Sequence, residues 1–480
     1  MSVNKRKVEV AIIGAGSAGM RAYREASKYT ESILLIEGGD YGTTCARVGC
    51  MPSKLLIAAG EAAHAGIYAK HFGVHYENRI IDGKAVMQRV RSERDRLVGF
   101  VVNDVGQWPE NHRIKGYAQF KSDHVLQLDN GTEIEADRII IATGSRPNII
   151  PPLKEFGDRL IINDDIFQWD DLPESVAVFG AGVIGLELGQ ALHRLGVRVS
   201  LFGRDHAVGP LSDPAVLGKA IAIFSDEFSF YPHAEVTRRS IAERGAEIEY
   251  NHNGKRKVEY FDYVLAATGR IPNLDKLRLG KTSLKLNEKG MPKFDLYTGR
   301  IEDSHIFIAG DANGIIPLLH EASDEGQIAG YNVAHYPKIR CFKKSSMISI
   351  VFSDPQIMMV GKTYGELIDE GIDFEVGELD WGGQGRSRVM LVNKGVLRVY
   401  GERNTGRFLG AEMIGPRAEN IAHLLAWTHQ SNLTVSEILE LPFYHPVIEE
   451  GVRTAMRNLN HALQMGEKPP VRCMDCGPGA

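Results

Sequence analysis

The sequence predicts an α/β protein containing two Rossmann-like units, each a parallel sheet with helices on its faces. Three observations predict it. A β-branched run at residues 8–13 leads into Gly14-Ala15-Gly16-Ser17-Ala18-Gly19 and then a helical segment. The same order recurs further on, where residues 176–179 lead into Gly180-Ala181-Gly182-Val183-Ile184-Gly185. Each turn is later followed by a matching strand-to-turn segment, IIIATGS at 139–145 and VLAATGR at 264–270. Alternation of short apolar strands with helical stretches is the pattern of parallel sheets.

Size and composition agree. A chain of 480 residues is long enough for two to four domains at about 150 residues each. Glycine is in excess, 51 residues against a usual share of ~7%, and with no collagen-like period the excess belongs in turns. With 43% hydrophobic residues, the chain is not a long disordered one. A net charge of −5 argues against a dedicated nucleic-acid binder. No apolar run approaches the ~20 residues of a membrane span. The charged start, MSVNKRK, is followed by an apolar stretch that breaks at Gly14, so it reads as a strand entering a turn. No targeting element is read in the chain, so a reducing cytoplasm is the expected location. Cysteine is scarce: 45, 50, 341, 473 and 476. That excludes a disulfide-stapled secreted scaffold, yet four of the five form two close pairs.

In the first unit, Gly14 is expected to make the tight turn, Gly16 to let backbone approach a pyrophosphate, and Gly19 to let helix pack on strand. A helix over 20–29 then points its N-terminus at the phosphates. A second strand over 32–36 ends in Glu37, placed to accept hydrogen bonds from ribose hydroxyls. The second unit repeats this with Gly180, Gly182, Gly185, a helix over 186–195 and a strand over 197–202. Two such sites imply two dinucleotides. The second strand ends in Gly203-Arg204, without the carboxylate that selects NAD. Arg204 can pair with a 2′-phosphate, which favours NADPH over NADH; a solvated strand-end arginine is the alternative.

Between the fingerprints lies Thr44-Cys45-Ala46-Arg47-Val48-Gly49-Cys50-Met51-Pro52-Ser53-Lys54. Pro52 fits the first turn of a helix continuing to residue 63. Cys50 then sits at that helix's N-terminus, where the dipole lowers a thiol pKa. Five residues of regular helix span ~8 Å, too far for the ~5.5 Å Cα separation of a disulfide. If Cys45 and Cys50 are bridged, the backbone must leave the helix between them, and Gly49 helps it do so. A short loop of this kind suits reversible reduction; two unconnected buried thiols are the other reading.

With these motifs together, the chain resembles the flavoprotein pyridine nucleotide-disulfide oxidoreductases, the family of dihydrolipoamide dehydrogenase, glutathione reductase and mercuric reductase, over nearly its whole length. The resemblance implies FAD at the first fingerprint and the pyridine nucleotide at the second. It makes Cys45 the interchange thiol and Cys50 the thiol nearest the flavin. Lys54 would approach the flavin, paired with Glu187. Phe307 to Asp311 resembles the segment whose Asp311, after Gly310, holds the FAD ribityl chain, with Leu318, Leu319 and His320 nearby. Thr143, Gly144, Ser145 and Ala118 complete the implied FAD shell, while Gly269 and Arg270 border the nicotinamide nucleotide. The remainder resembles an α+β dimerisation domain carrying His445 before Pro446 and Glu450 five positions on. These are implied as the acid–base pair serving the other protomer's disulfide, so that a homodimer shares its active sites. A dithiol substrate must lose a proton to attack, and a carboxylate keeps an imidazole in the useful tautomer. The expected boundaries are 1–149 and 273–345 for the FAD and central parts, 150–272 for the NAD(P) domain, 346–465 for dimerisation, and 466–480 for a flexible tail.

Four features depart from dihydrolipoamide dehydrogenase. Phe443 stands where a histidine is usual, Gly203-Arg204 replaces the acid, Arg47 adds a cation to the cysteine loop, and the Pro/Gly-rich tail carries Cys473-Met474-Asp475-Cys476. Arg47 is open between stabilising a thiolate and facing solvent. The tail pair is open between a second electron-carrying dithiol and surface thiols or half of a metal site. No metal site is expected elsewhere. The expected function is electron transfer between NAD(P)H, FAD, a Cys45-Cys50 disulfide and a small dithiol/disulfide, by default dihydrolipoamide, free or presented on a lipoyl domain. The alternatives are an NADPH-dependent disulfide or mercuric-type reductase using the tail thiols, and a non-catalytic flavoprotein subunit of a larger complex. No nucleic-acid or membrane partner is expected.

Overall fold

A computed structural model describes residues 4–77 and 80–464; Cys473 and Cys476 lie outside the described residues. The first sheet is parallel at its centre. Lys5–Ile13 lies between Ile33–Glu37 and Glu133–Ile141, with Val10 opposite Ile33 on one side and Arg138 on the other. Arg113–Lys115 extends one edge, and the antiparallel pair Val125–Leu128 and Ala118–Ser122 extends the other. Ile306–Ile308 also pairs in parallel with Glu133–Ile141, so the chain returns to this first unit after completing the second. The central residues Val10 to Ile13 and Ile139 to Ile141 are buried, as strands covered on both faces must be.

The second unit repeats the plan in the parallel order Ser229–Tyr231, Arg198–Phe202, Ser175–Phe179, Tyr263–Ala266, Leu160–Ile161. The two units match at their glycines. Gly14 and Gly180 hold φ of 107° and 112°, and a Cβ on either would lie 2.3 Å from the carbonyl oxygen of Ala142 or Ala267. A Cβ on Gly19 or Gly185 would fall 1.8 or 1.9 Å from the carbonyl oxygen of Gly14 or Gly180. Gly16 and Gly182 face open space. The helices start earlier than expected, Ser17–Ala26 rather than 20–29 and Val183–Arg194 rather than 186–195. The last glycine of each fingerprint is inside its helix, because close packing against the turn requires the first helical turn there.

The C-terminal part is a five-stranded antiparallel sheet in the order Ile348–Val351, Gln356–Gly361, Phe408–Gly415, Val396–Glu402, Phe374–Asp380. The helices Ala418–Gln430 and Glu450–Leu463 share one apolar core with it, through Ile421, Leu425, Val452, Met456 and Leu459. A second core joins all three parts. Leu56 from the cysteine helix, Leu186 and Leu188 from the second fingerprint helix, and Val351, Ile357 and Ile414 from the C-terminal sheet pack together. That shared core sets the distances across the site below. Among the described residues no helix is long and apolar enough to cross a membrane.

Candidate active site

The cysteines sit on two helices separated by one residue. Thr44–Val48 is a single short helix whose N-cap Thr43 accepts from the Ala46 N–H, and Cys50–Ala69 starts anew after Gly49. Gly49 breaks the run with φ −126° and ψ −118°, and a Cβ there would lie 3.0 Å from the Thr44 carbonyl oxygen. The backbone departure that a bridge needs is therefore present, with Cys45 and Cys50 unbridged. The Cys45 thiol donates to Cys50, which raises the pKa of Cys45. Cys50 is lowered from 9.0 to about 6, first by that hydrogen bond and, against the opposing effect of burial, by the Lys54 charge. The pair is arranged as one thiol and one thiolate, with the negative charge on Cys50.

Lys54 is one turn further along the same helix. Its Nζ lies 2.7 and 2.9 Å from the two carboxylate oxygens of Glu187, which is only 4% exposed. Glu187 also accepts from the Phe352 backbone N–H at 3.0 Å, and the Phe352 ring lies under Lys54 Nζ at 4.4 Å. One carboxylate therefore ties together the cysteine helix, the second fingerprint helix and the C-terminal domain. Arg47 lies 3.4 Å from Asp40.

The dinucleotide cradle of the first unit has unmet valences of the right kind. Glu37 at the strand end accepts from the Ala15 and Gly39 N–H groups, both at 2.7 Å, holding the turn that carries Gly14 and Gly16. Thr143 Oγ1 is buried without a partner among the described residues, and Gly144 beside it has φ 66°. Ser145 donates to Asp311 at 2.6 Å. Arg270 donates to Ser145 Oγ at 2.7 Å and to its carbonyl at 2.8 Å, so it faces Asp311 as much as the second unit. Gly310 starts the turn that carries Asp311, its N–H held by the buried Glu325 at 2.9 Å. Leu318 is half-buried, Leu319 and His320 are exposed, and Ala118 is buried at the start of its strand. An open glycine, an orphaned hydroxyl and a strand-end carboxylate fit FAD.

At the second unit, Gly182 offers the same opening. A Cβ on Gly203 would lie 2.8 Å from the Pro232 carbonyl oxygen, so the acid is absent because no side chain fits. Arg204 is exposed and pairs with its neighbour Asp205 at 2.8 Å. Gly269 has φ 95°. In the C-terminal domain, His445 Nδ1 lies 2.8 Å from Glu450 Oε1. Glu450 is buried and its other oxygen accepts from the Val447 N–H at 3.1 Å, while His445 is exposed. Phe443 packs against the domain core.

A reciprocal clasp not anticipated from the sequence joins the two ATG turns. Asn273 donates from its backbone to Gly144 O at 2.9 Å and from Nδ2 to Thr143 O at 3.0 Å. Asn148 donates from its backbone to Gly269 O at 2.9 Å and from Nδ2 to Thr268 O at 3.2 Å. The signal was present, since Pro-Asn follows each ATG turn at the same spacing. Phe352, Glu325 and Lys344, which pairs with Glu325 at 3.1 Å and Glu321 at 2.7 Å, carried no local signal.

Residues 8–326 match the family described as pyridine nucleotide-disulphide oxidoreductase, and 347–456 match its dimerisation domain. The chain is 29% identical over 456 residues to a dihydrolipoyl dehydrogenase of Geobacillus stearothermophilus, covering 92% of this chain and 94% of the relative. It is 29% identical over 471 residues to that of Chlamydia muridarum, covering 96% and 98%. Among solved structures it is similar to LpdA from Mycobacterium tuberculosis, with TM-score 0.79, 23% identity, and coverage of 94% of this chain and 100% of that one. It is also similar to the HOCl-induced flavoprotein disulfide reductase RclA from Escherichia coli in its Cu(II) complex, with TM-score 0.78, 22% identity, and coverage of 92% and 98%.

Proposed function

The chain belongs to the pyridine nucleotide-disulphide oxidoreductase family, and from that premise we propose that it is a dihydrolipoyl dehydrogenase working as a dimer whose protomers complete each other's sites. As a flavoprotein disulfide oxidoreductase it uses FAD and a pyridine nucleotide. The observation that carries the reading is the Cys45–Cys50 pair beside Lys54, arranged as thiol and thiolate. The relatives' names supply the substrate.

Gly14, Gly16, Gly19, Glu37, Thr143, Ser145 and Asp311 would hold FAD, and Gly180, Gly182, Gly185 and Gly269 the nicotinamide nucleotide. Bound FAD supplies a two-electron store between the dithiol and the nicotinamide. The protein's own steps are sulfur and proton chemistry. His445 of one protomer takes a proton from a substrate thiol, held in the useful tautomer by Glu450. The substrate thiolate attacks Cys45 Sγ, and the Cys45–Cys50 bond breaks. Cys50 leaves as a thiolate next to Lys54. The second substrate thiol attacks the substrate sulfur of the mixed disulfide, and its proton passes to the departing Cys45. Two substrate S–H groups become one S–S bond, and the enzyme disulfide becomes the Cys45 thiol and the Cys50 thiolate, with the remaining proton on His445. Arg204 supports NADPH as the nucleotide partner.

The deciding assay runs the FAD-loaded protein with dihydrolipoamide plus NAD+ or NADP+. Turnover with either supports the reading. No dihydrolipoamide oxidation, together with NADPH-driven reduction of other disulfides, would transfer support to the second reading, an NADPH-dependent disulfide reductase. That second reading is favoured by the missing acid at Gly203 and by the tail Cys473 and Cys476.

A further inference from the structure

The short helix that carries Cys45 ends at Val48, and the last carbonyls of a helix have no partner within it. The Val48 carbonyl finds one from outside the cysteine segment. Asn163, at the start of the small helix Asn163–Ile166, donates from Nδ2 to Val48 O at 2.8 Å and to Asp164 Oδ1 at 2.9 Å. Asn163 is 5% exposed. Its own Oδ1 is buried with no partner among the described residues. Turning the amide over would bring a carbonyl against two oxygen acceptors, so the donor face is fixed by its surroundings. An orphaned acceptor is unfavourable, and it is retained here opposite the one contact the amide makes with the redox loop.

The place of that contact matters. Gly49 is the break between the two cysteine-bearing helices. On its far side, Ser53 Oγ donates to the Cys50 carbonyl at 3.1 Å; on its near side stands Asn163. The two sides of the break are therefore held from different places, one by the helix itself and one by the segment leading into the second unit.

We propose that Asn163 is a positioning residue for the Cys45–Cys50 couple, clamping the Val48 side of the Gly49 break in the dithiol form. The proposal rests on the redox role assigned to those cysteines. Closing the Cys45–Cys50 bond draws the two helices together across Gly49 and weakens this contact, so the clamp favours the dithiol and its loss shifts the couple toward the disulfide.

The test equilibrates FAD-loaded wild type and Asn163→Asp against a series of dithiothreitol redox buffers, traps the free thiols and counts them by mass spectrometry. Asn163→Asp keeps the shape, loses the donor and sets a carboxylate against the Val48 carbonyl. The expected result is a shift of the dithiol:disulfide ratio toward disulfide by about 5-fold, the size of one lost hydrogen bond. Asn163→Ser, which keeps a hydroxyl donor, is expected to shift it less, and it carries the comparison if the Asp variant does not retain FAD. An unchanged ratio, or a shift toward the dithiol, in a variant with full FAD content overturns the proposal, even where its melting temperature falls. If wild-type Cys45 and Cys50 form no disulfide in any buffer, the redox reading itself has failed, and that outcome is seen before any variant is made.

Discussion

Lys54 and Glu187 join the cysteine helix to the second fingerprint helix, with the Lys54 ammonium 2.7 Å from one carboxylate oxygen of Glu187 and 2.9 Å from the other. Lys54 lowers the Cys50 pKa and Glu187 raises it, so the pair is a charge setting as well as a tether. Glu187→Gln keeps an oxygen for the Phe352 N–H and removes the charge. It is expected to bring the Cys50 pKa below its present value of about 6, while Lys54→Met raises it. Both changes break a pair whose acid is buried and whose base is part-exposed, at an expected ~1–3 kcal/mol of stability. Thiol alkylation rate against pH gives the first quantity and thermal unfolding the second.

The hydrogen bond from Cys45 is the larger cause of the Cys50 shift. In the reduced protein, Cys50 is expected to alkylate with a midpoint near pH 6 rather than 9, and Cys45→Ala is expected to move that midpoint up. The sign of the stability effect follows. Between about 6 and 9.0 the folded protein carries the thiolate and the unfolded chain carries the thiol. The unfolded state then binds more protons, and stability rises with pH across that window. This contribution is complete above 9 and lost as pH falls through 6. Denaturant unfolding of the reduced protein at several pH values measures it, and an unchanged slope in Cys45→Ala would count against the shared-proton arrangement.

How much of this was legible in the sequence depended on whether a residue's partner was nearby. Gly14, Gly16 and Gly19 announce themselves because their steric duties are set within one strand–turn–helix. The Gly49 break was legible because a bridge over five residues is incompatible with helix. Glu187 was reachable only through family resemblance, since it meets Lys54 at a separation of 133 residues and the Phe352 backbone at 165. Glu325, gripping the Gly310 N–H from within a helix, reads locally as a surface acid. That Gly203 carries no acid is plain in the sequence, but the steric reason, the Pro232 carbonyl 2.8 Å from where a Cβ would stand, belongs to packing alone.

The His445–Glu450 pair separates two half-reactions. If His445 moves the substrate proton, His445→Gln is expected to slow dithiol oxidation by about 10²–10⁴-fold. Electron transfer from NAD(P)H to an artificial acceptor, which needs no thiol deprotonation, is expected to be retained. Glu450→Ala also releases the Val447 N–H, so its loss on the dithiol side should be smaller than that of His445→Gln and accompanied by a lower melting temperature. Equal losses in both half-reactions would point to a collapsed fold rather than a missing base.

Glu325 supports the turn that carries Asp311. It accepts from the Gly310 N–H at 2.9 Å and from Asn313 Nδ2 at 2.7 Å, while Lys344 stands 3.1 Å from its other oxygen. Burial pushes its pKa up, and Lys344 and the Gly310 N–H oppose that. Glu325→Ala leaves a buried backbone donor unmet, at an expected ~1–3 kcal/mol, but Lys344 keeps Glu321 as a partner. The consequence should be weaker FAD retention, read as flavin absorbance per protein after gel filtration. Glu325→Gln keeps the acceptor and should retain more flavin than Glu325→Ala.

Nucleotide choice tests the second unit directly. Arg204 is 92% exposed along its side chain and, among the described residues, pairs with the adjacent Asp205, itself 67% exposed, so it is free to turn to a 2′-phosphate. Arg204→Ala is expected to raise KM for NADPH several-fold and leave KM for NADH nearly unchanged, as the loss of one charge-assisted contact would. The reverse design, Gly203→Glu, should not create NADH preference, because its Cβ meets the Pro232 backbone before the carboxylate can reach a ribose. It should instead lower the melting temperature. An Arg204→Ala protein with unchanged KM for both nucleotides would remove Arg204 from selectivity.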